Sequence, residues 1–223
     1  MKYIAFLLFI SLFAPMSAQA ESTTNVLNDT SRRTYIQKQQ AALSPTEANT
    51  YLAGAVPEEN GQVVFRQAYT VPGKTRDEIY NALKQYLSQV LKRPNALPAS
   101  RITAAESAEG TLAATLHETL WFKRSAWVSD FATVVCQLAF EVHDGGYTAT
   151  LRNIRYQYNA LSDSEQETLL KAEDWITDKE ALTKNGTKLT RVGGKKLRVK
   201  TIDLQKSLFN DAATASGASP KTL

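Results

Sequence analysis

Hydrophobic and polar residues alternate over residues 62–71, a pattern typical of a strand with one buried face. Pro72-Gly73 ends this strand, and Thr75 with Glu78 three residues later forms a capping-box pattern. From Arg76 to about Leu91, apolar residues recur at helical spacing. The sequence therefore predicts a strand, a turn and an amphipathic helix. The predicted buried face of that helix includes Ile79, Leu83, Leu87 and Val90.

Two further segments, residues 111–122 and 131–142, alternate in the same way and predict two more strands. The segment His143–Gly146 contains Asp-Gly and predicts a hairpin turn between the second of these strands and a third. In the third strand the apolar positions change phase near Arg152-Asn153. One extra residue moves all later side chains to the opposite face, so we expect a β-bulge there.

Helical spacing returns over residues 162–182, and Thr201 is placed to cap a last helix that carries Leu204, Leu208 and Phe209. The order of elements is thus a strand, a helix, a run of antiparallel strands and then helices. This order predicts an α+β fold in which helices pack on one face of a curved antiparallel sheet.

The first 20 residues have the pattern of a signal peptide: Lys2, an apolar run and a small-residue cleavage site that closes at Ala20. The apolar run is too short for a membrane span, which needs roughly 20 residues. We therefore expect an exported protein, periplasmic or extracellular, whose mature chain begins at Glu21. Cys136 is the only cysteine. Because it lies far from the cleavage site, we expect no lipoprotein. Because a disulfide framework needs an even set of cysteines, we expect no such framework either.

The remaining chain divides into three predicted segments. Residues 21–50 are polar and weakly patterned, which predicts a partly flexible N-terminal arm, with a helix start at Ser44–Glu47. Residues 51–210 hold the patterned strands and helices and predict a single domain. Residues 211–223 are rich in Ala, Ser, Thr and Gly, which predicts a disordered tail.

The formal net charge is +4, and the positive charge is concentrated between Lys184 and Lys206, where Asp203 is the single acid. A basic segment on a mildly acidic body favours an anionic partner such as a phosphate-bearing glycolipid or nucleic acid. The partner that we expect is an anionic envelope component or another exported protein. Lys195, Lys196 and Arg198 are the candidate partner-binding residues. The alternative is that these cations only keep a helix face and a turn solvated.

Few residues carry candidate chemistry. The two histidines, His117 and His143, show no metal-ligand spacing, and Cys136 falls on the buried face of its strand. We therefore predict no catalytic residue, no metal site and no cofactor. Glu118 interrupts the apolar face of its strand. It lies at an edge position, or has a satisfied partner such as an arginine, or is a polar anchor inside a ligand groove.

A set of short motifs is shared with a known family. They are Tyr51-Leu52-Ala53-Gly54-Ala55-Val56-Pro57, Val63-Val64-Phe65, Val71-Pro72-Gly73, Asp77-Glu78-Ile79-Tyr80 and Lys200-Thr201-Ile202-Asp203-Leu204. On these residues the chain resembles an exported Bacteroidetes family of unknown function with a TATA-binding-protein-like fold. The resemblance covers residues 51–210, implies a sheet with helices and brings no catalytic residue. TATA-binding protein uses two copies of its half-fold on DNA, whereas this chain has one copy and an export signal, so we expect no chromosomal DNA partner.

Acid–base and nucleophilic catalysis need paired titratable groups, which are sparse in this chain. We therefore expect a non-catalytic binding protein or an envelope-associated interaction protein. The alternative is an unrecognised enzyme, such as a carboxylate-dependent hydrolase. Two carboxyl groups that converge in one cleft would favour the enzyme.

Overall fold

The computed structural model describes residues 50–125, 127–158 and 169–220. The predicted signal peptide, the N-terminal arm and the helix start at Ser44–Glu47 lie outside these residues, and so does the first part of the helix expected over residues 162–182.

An antiparallel sheet forms the centre of the fold. Within the described residues it has seven strands in the order β4-β5-β6-β7-β3-β9, and β8 pairs with β7. A separate short hairpin consists of β1 and β2. The strands are β1 (Glu58–Glu59), β2 (Gln62–Val63), β3 (Phe65–Thr70), β4 (Arg101–Glu106), β5 (Thr111–Arg124), β6 (Ser129–His143), β7 (Gly146–Gln157), β8 (Leu170–Lys171) and β9 (Ser219–Pro220).

Helices cover one face of this sheet. They are α1 (Arg76–Val90), α2 (Asp178–Ala181) and α3 (Val199–Ser216), and a π-helical turn (Gly193–Arg198) leads directly into α3. A 3₁₀ turn spans Ala172–Asp174. Helix α1 packs against α3 and against β5, β6 and β7. Their buried side chains form one core with the inner face of the strands. The predicted α+β fold, an antiparallel sheet with helices on one face, is confirmed.

Helix α1 begins where the capping box predicted. The Thr75 hydroxyl accepts a hydrogen bond from the Glu78 backbone N–H, and the Glu78 carboxylate accepts one from the Thr75 backbone N–H at 2.8 Å. These bonds satisfy donors that a helix start otherwise leaves unpaired. Leu83 and Leu87 are completely buried, so the predicted apolar face of α1 is the face that covers the sheet.

The predicted hairpin turn and bulge are also confirmed. Strand β6 ends at His143 and β7 begins at Gly146, with Gly145 at a φ of 74°. The register between β6 and β7 then shifts next to Asn153, which has a φ of 54°. Asparagine tolerates this left-handed conformation better than most residues do. The extra residue restores Ile154 and later apolar residues to the core.

The prediction of one continuous helix over residues 162–182 is wrong for residues 169–182, which are the ones that the structure describes. Leu170 and Lys171 form β8 and pair with Tyr156 and Arg155 of β7. A 3₁₀ turn and the four-residue α2 follow. Helical spacing in this segment reflects burial of Ala172 and Ile176 against the core, and sheet pairing overrides the local helix preference.

The prediction of a disordered tail from Asp211 onward is also wrong for residues 211–220. Helix α3 continues to Ser216 because Ala212, Ala213 and Ser216 face the core, and alanine is a strong helix former. Gly217 ends the helix with a φ of 72°. The chain then pairs with β3 as β9. Composition suggested disorder, but the small residues allow close packing of α3.

Candidate functional site

A buried carboxyl group lies where β5 passes beneath a loop. Strand β4 pairs with β5 only as far as Thr115. Beyond it the loop after α1 takes over this edge, and the Thr119 N–H donates to the Asn95 carbonyl oxygen at 2.9 Å. Glu118 lies between these points on the inner face of β5, and its exposed fraction is 4%. Its Oε1 has no hydrogen-bond partner among the described residues.

Glu118 lines a groove between this loop, β5 and α3. The cavity has a volume of about 390 Å³. Its lining residues are Arg93, Pro94, Asn95, Glu118, Leu204, Ser207 and Asp211. We call this cavity the Glu118 groove. A second cavity of about 360 Å³ shares Arg93 and Asp211 with it and extends along α1 and the end of α3.

An ion pair between Arg93 and Asp211 forms part of the lining of the groove. Arg93 Nη2 donates to Asp211 Oδ2, and the Ser207 hydroxyl donates to the same oxygen at 3.2 Å. The Arg93 guanidinium also lies 6.0 Å from the centre of the Tyr86 ring. The Tyr86 hydroxyl donates to the Leu208 carbonyl oxygen at 2.8 Å. These contacts tie the end of α1 to α3 and fix the wall of the groove.

Burial decides the electrostatics of Glu118. Loss of water raises the pKa of its carboxyl group, and the nearby positive charge of Arg93 opposes that rise. A carboxyl group with a raised pKa keeps its proton to higher pH, and it can then donate as well as accept a hydrogen bond. The interpretations left open by the sequence stay predictions, because Glu118 lies past the end of β4 pairing and near Arg93, and it also lines a groove with an Oε1 that has no hydrogen-bond partner among the described residues.

Arg198 does not lie on an exposed basic surface, so its prediction as a partner-binding residue is wrong. Its side chain is completely buried. It donates to the carbonyl oxygens of Tyr51, Ile176 and Leu52 at 2.7, 2.7 and 2.6 Å, and to Asp178 Oδ1 at 2.6 Å. The residue is a structural cation, because a buried guanidinium needs this number of acceptors.

Lys196 is also held by the fold, whereas Lys195 is exposed. The Lys196 ammonium group pairs with Asp130 Oδ2 at 2.6 Å and donates to the Tyr158 hydroxyl. The preceding glycines explain the close packing of this turn. A side chain at Gly193 or Gly194 would collide with the carbonyl oxygens of Trp175 and Ala181. The three predicted partner-binding residues are therefore not brought together on one surface.

The remaining candidates for chemistry are not among the residues that line the Glu118 groove. Cys136 is buried, and loss of water raises the pKa of its thiol. The His143 ring lies at the turn, with Nδ1 2.9 Å from the Asp144 carbonyl oxygen. Across residues 50–125, 127–158 and 169–220, no cluster of three His, Cys, Asp or Glu side chains could hold a metal ion. In the same residues, no helix is long and apolar enough to cross a membrane.

Sequence reasoning identified Glu118 but missed Arg93 and Asp211. Arg93 falls in a loop with two prolines, and Asp211 falls in the segment expected to be disordered. The helical spacing of Leu204, Leu208 and Ala212 was the signal that could have extended α3 past Asp211. No local signal joins Arg93 to Asp211, because they are far apart in the sequence.

One family model and two solved structures are similar to this chain. A family model described as a domain of unknown function (DUF4468) with TBP-like fold matches residues 65–157. The crystal structure of a DUF4468 family protein from Bacteroides ovatus ATCC 8483 is 35% identical with a TM-score of 0.66, and the match covers 78% of this chain and 98% of that chain. A TBP-like protein from Parabacteroides distasonis ATCC 8503 is 21% identical with a TM-score of 0.57, over 73% of this chain and 97% of that one, which shows the fold alone. No curated protein matches this chain.

Proposed function

We propose a binding function for this chain, which belongs to the DUF4468 family of domains with a TBP-like fold. The family and the fold that the sequence motifs indicated are both confirmed. The proposed function is non-catalytic binding of a small polar molecule in the Glu118 groove. The observation that carries the proposal is the buried carboxyl group of Glu118, which lines a cavity and whose Oε1 has no hydrogen-bond partner among the described residues.

An unpartnered buried carboxyl oxygen is costly. Leaving a buried polar group without a partner costs about 1–3 kcal/mol, and most such groups in folded proteins are satisfied. A ligand that donates a hydrogen bond to Glu118 would remove this cost. The cavity volume of about 390 Å³ falls within the range of roughly 300–1,000 Å³ that is typical of small-molecule sites.

The lining of the groove defines the chemistry of the ligand. Glu118 requires a hydroxyl, amide or amine donor, and Leu204 supplies an apolar wall. The Arg93–Asp211 ion pair at the rim offers both a positive and a negative group. These features favour an uncharged polyol or amide, or a primary amine, over a strongly anionic molecule that would approach the two carboxyl groups.

Titration with small probes tests this proposal. Amide chemical shifts of the native protein would be followed by NMR during addition of methylamine, acetamide or a monosaccharide. We expect at least one probe to shift the amides of Asn95 and Leu204, and Glu118→Leu to abolish the shifts. The control is Glu106→Leu, because Glu106 is an exposed carboxylate on the neighbouring strand β4. The proposal fails if no probe shifts these amides, or if Glu118→Leu responds as the native protein does.

A hydrolase is the second candidate, because two carboxyl groups, Glu118 and Asp211, line the same groove. Glycoside hydrolases use such a pair, one as a proton donor with a raised pKa and one ionised. The raised pKa of Glu118 and the ion pair of Asp211 with Arg93 fit these roles. Release of nitrophenol from a panel of nitrophenyl glycosides tests this candidate. Activity that both Glu118→Gln and Asp211→Asn abolish would support it, and absence of activity across the panel would reject it.

We also propose that the protein is exported and that it meets an anionic envelope component. The signal-peptide pattern of the first 20 residues supports export. Of the cations between Lys184 and Lys206, the ones whose side chains are exposed could contact such a partner. They are Lys184, Lys188, Arg191, Lys195 and Lys206. Attraction to such a partner should weaken with salt, because the Debye length falls from about 10 Å at 0.1 M to about 3 Å at 1 M. Salt-resistant capture of partners by both the native protein and Lys195→Ser would argue against this surface.

A further inference from the structure

The β5–β6 hairpin ends in an exposed group of apolar and basic side chains. We call this group the hairpin tip; it consists of Lys123, Arg124, Trp127, Val128 and Phe131. The exposed fractions of Trp127, Val128 and Phe131 are 95%, 44% and 40%. An isolated exposed apolar residue is ordinary, but a contiguous group of them marks an interaction site.

The hairpin tip projects beyond the rest of the sheet. Pairing of β6 with β7 ends at Thr133, and pairing of β5 with β4 ends at Thr115. Past Trp121, and among the described residues, β5 and β6 pair only with each other. The Ser125 N–H donates to the Val128 carbonyl oxygen at 2.9 Å and closes the turn. The tip therefore extends past the last strand pairs that β5 and β6 form with β4 and β7.

The base of the hairpin is fixed to the body of the protein. The Tyr158 hydroxyl donates to Asp130 Oδ1 at 2.8 Å, and Lys196 pairs with the other oxygen of the same carboxylate. On the same side, the Phe122 and Tyr158 rings meet edge to face at 5.5 Å. These contacts hold the hairpin in place. They also neutralise Asp130, the acid nearest to the tip in sequence, so that the tip itself is positively charged.

The opposite side of the hairpin carries two aromatic rings that meet at a tilted angle. Trp121 and Phe131 are cross-strand partners whose ring centres lie 5.0 Å apart. The Arg124 guanidinium lies 4.9 Å from the centre of the Trp121 ring. Such a cation–π contact orients the charged group without shielding it from water. The tip thus combines apolar rings with two cations on a rigid support.

We propose that the hairpin tip inserts into the headgroup region of a membrane that contains anionic phospholipid. Tryptophan accumulates at membrane–water interfaces, and lysine and arginine beside it are attracted by anionic headgroups. A stable dimer buries roughly 1,200 Å² or more, whereas each aromatic side chain supplies only about 150–250 Å².

Vesicle sedimentation tests this proposal with protein purified from its own host. The vesicles contain either equimolar phosphatidylglycerol and phosphatidylcholine or phosphatidylcholine alone. We expect binding to the anionic vesicles, with a partition coefficient that falls about 30-fold in Lys123→Ser/Arg124→Ser. Trp127→Ser should lower it about tenfold or more. The matched control is Lys84→Ser/Lys92→Ser, which removes two exposed cations far from the tip in sequence and outside the basic surface proposed above, and which should bind as the native protein does.

Three results would overturn the proposal. The first is no binding to the anionic vesicles. The second is equal binding by the native protein and both tip variants. The third is binding that the tip variants keep and that Lys188→Ser/Lys195→Ser loses, which would place the membrane contact on the basic stretch instead. Because the altered side chains are exposed, each variant should keep the native circular dichroism spectrum. A tip variant that loses this spectrum would show that the tip stabilises the fold and would also count against the proposal.

Discussion

Replacement of Arg198 by methionine removes a buried cation at a point where several segments of the chain meet. The guanidinium donates to the backbone of Tyr51 and Leu52 before the sheet, to Ile176 before α2 and to Asp178 within α2. Methionine replaces the aliphatic stem of arginine and lacks the guanidinium group, so the change removes the hydrogen bonds and keeps most of the packing of the stem. We expect Arg198→Met to destabilise the protein strongly.

The magnitude follows from the four acceptors. Breaking a buried ion pair by removing one partner costs about 3–5 kcal/mol, because the remaining groups are left without a donor. The Asp178 side chain is 40% exposed, so water can replace part of its lost bond. The three carbonyl oxygens carry most of the loss, and we therefore expect a cost of about 3 kcal/mol, at the lower end of that range. Arg198→Lys should show an intermediate loss, because an ammonium group has three donors and no planar fork.

Equilibrium unfolding in urea measures this effect as a change in the free energy of unfolding. The control is Lys195→Met, which removes an exposed cation from the same turn and should change stability by no more than about 0.5 kcal/mol. A loss below about 1 kcal/mol for Arg198→Met would refute the reasoning, and so would equal losses in the two variants. Either result would mean that Arg198 is not the structural cation described above.

Three further predictions concern the core, the groove and the N-terminus. Leu83→Ala should cost about 2–5 kcal/mol in urea unfolding because Leu83 is completely buried; a change as small as that of a surface substitution would show that α1 is not docked on the sheet. The raised pKa of Glu118 predicts a stability contribution that is full below the unfolded pKa of about 4.3 and is lost as pH rises through the folded pKa. Glu118→Gln should remove this pH dependence, and identical pH profiles of the two proteins would contradict the assignment. N-terminal sequencing of native protein should find a mature chain that begins at Glu21, and retention of Met1 would end the export proposal.

The parts of the fold set by neighbouring residues could be predicted from the sequence. Thr75 and Glu78 predict the start of α1 because a capping box is a motif of only four consecutive residues. The phase change at Asn153 predicts the bulge because alternation of apolar and polar residues is a local pattern. The end of the chain was mispredicted because the order of α3 past Asp211 depends on the core that Ala212 and Ala213 contact.

The candidate site shows the same division between local and distant causes. Glu118 could be identified because it interrupts an apolar face, which is visible in one strand. Its partners could not, because Arg93 and Asp211 meet only after α1 and α3 have packed. Arg198 was misassigned for a related reason. A cation in a basic stretch is normally exposed, and its burial depends on Tyr51 and Asp178, which lie elsewhere in the sequence.

The position of β3 in the sheet has a consequence for the order in which the protein folds. Although β3 is the first strand of the large sheet in sequence, its neighbours β7 and β9 come much later, and the register pairs Tyr69 with Tyr147 and with Pro220. Contacts between residues that are distant in sequence form slowly, because loop closure costs entropy before the contact is made. The β4–β5–β6–β7 meander can assemble from adjacent segments, but β3 cannot be enclosed until α3 has been synthesised and β9 follows it. Until then β3 keeps an open edge, which is the kind of edge through which strands of different chains associate.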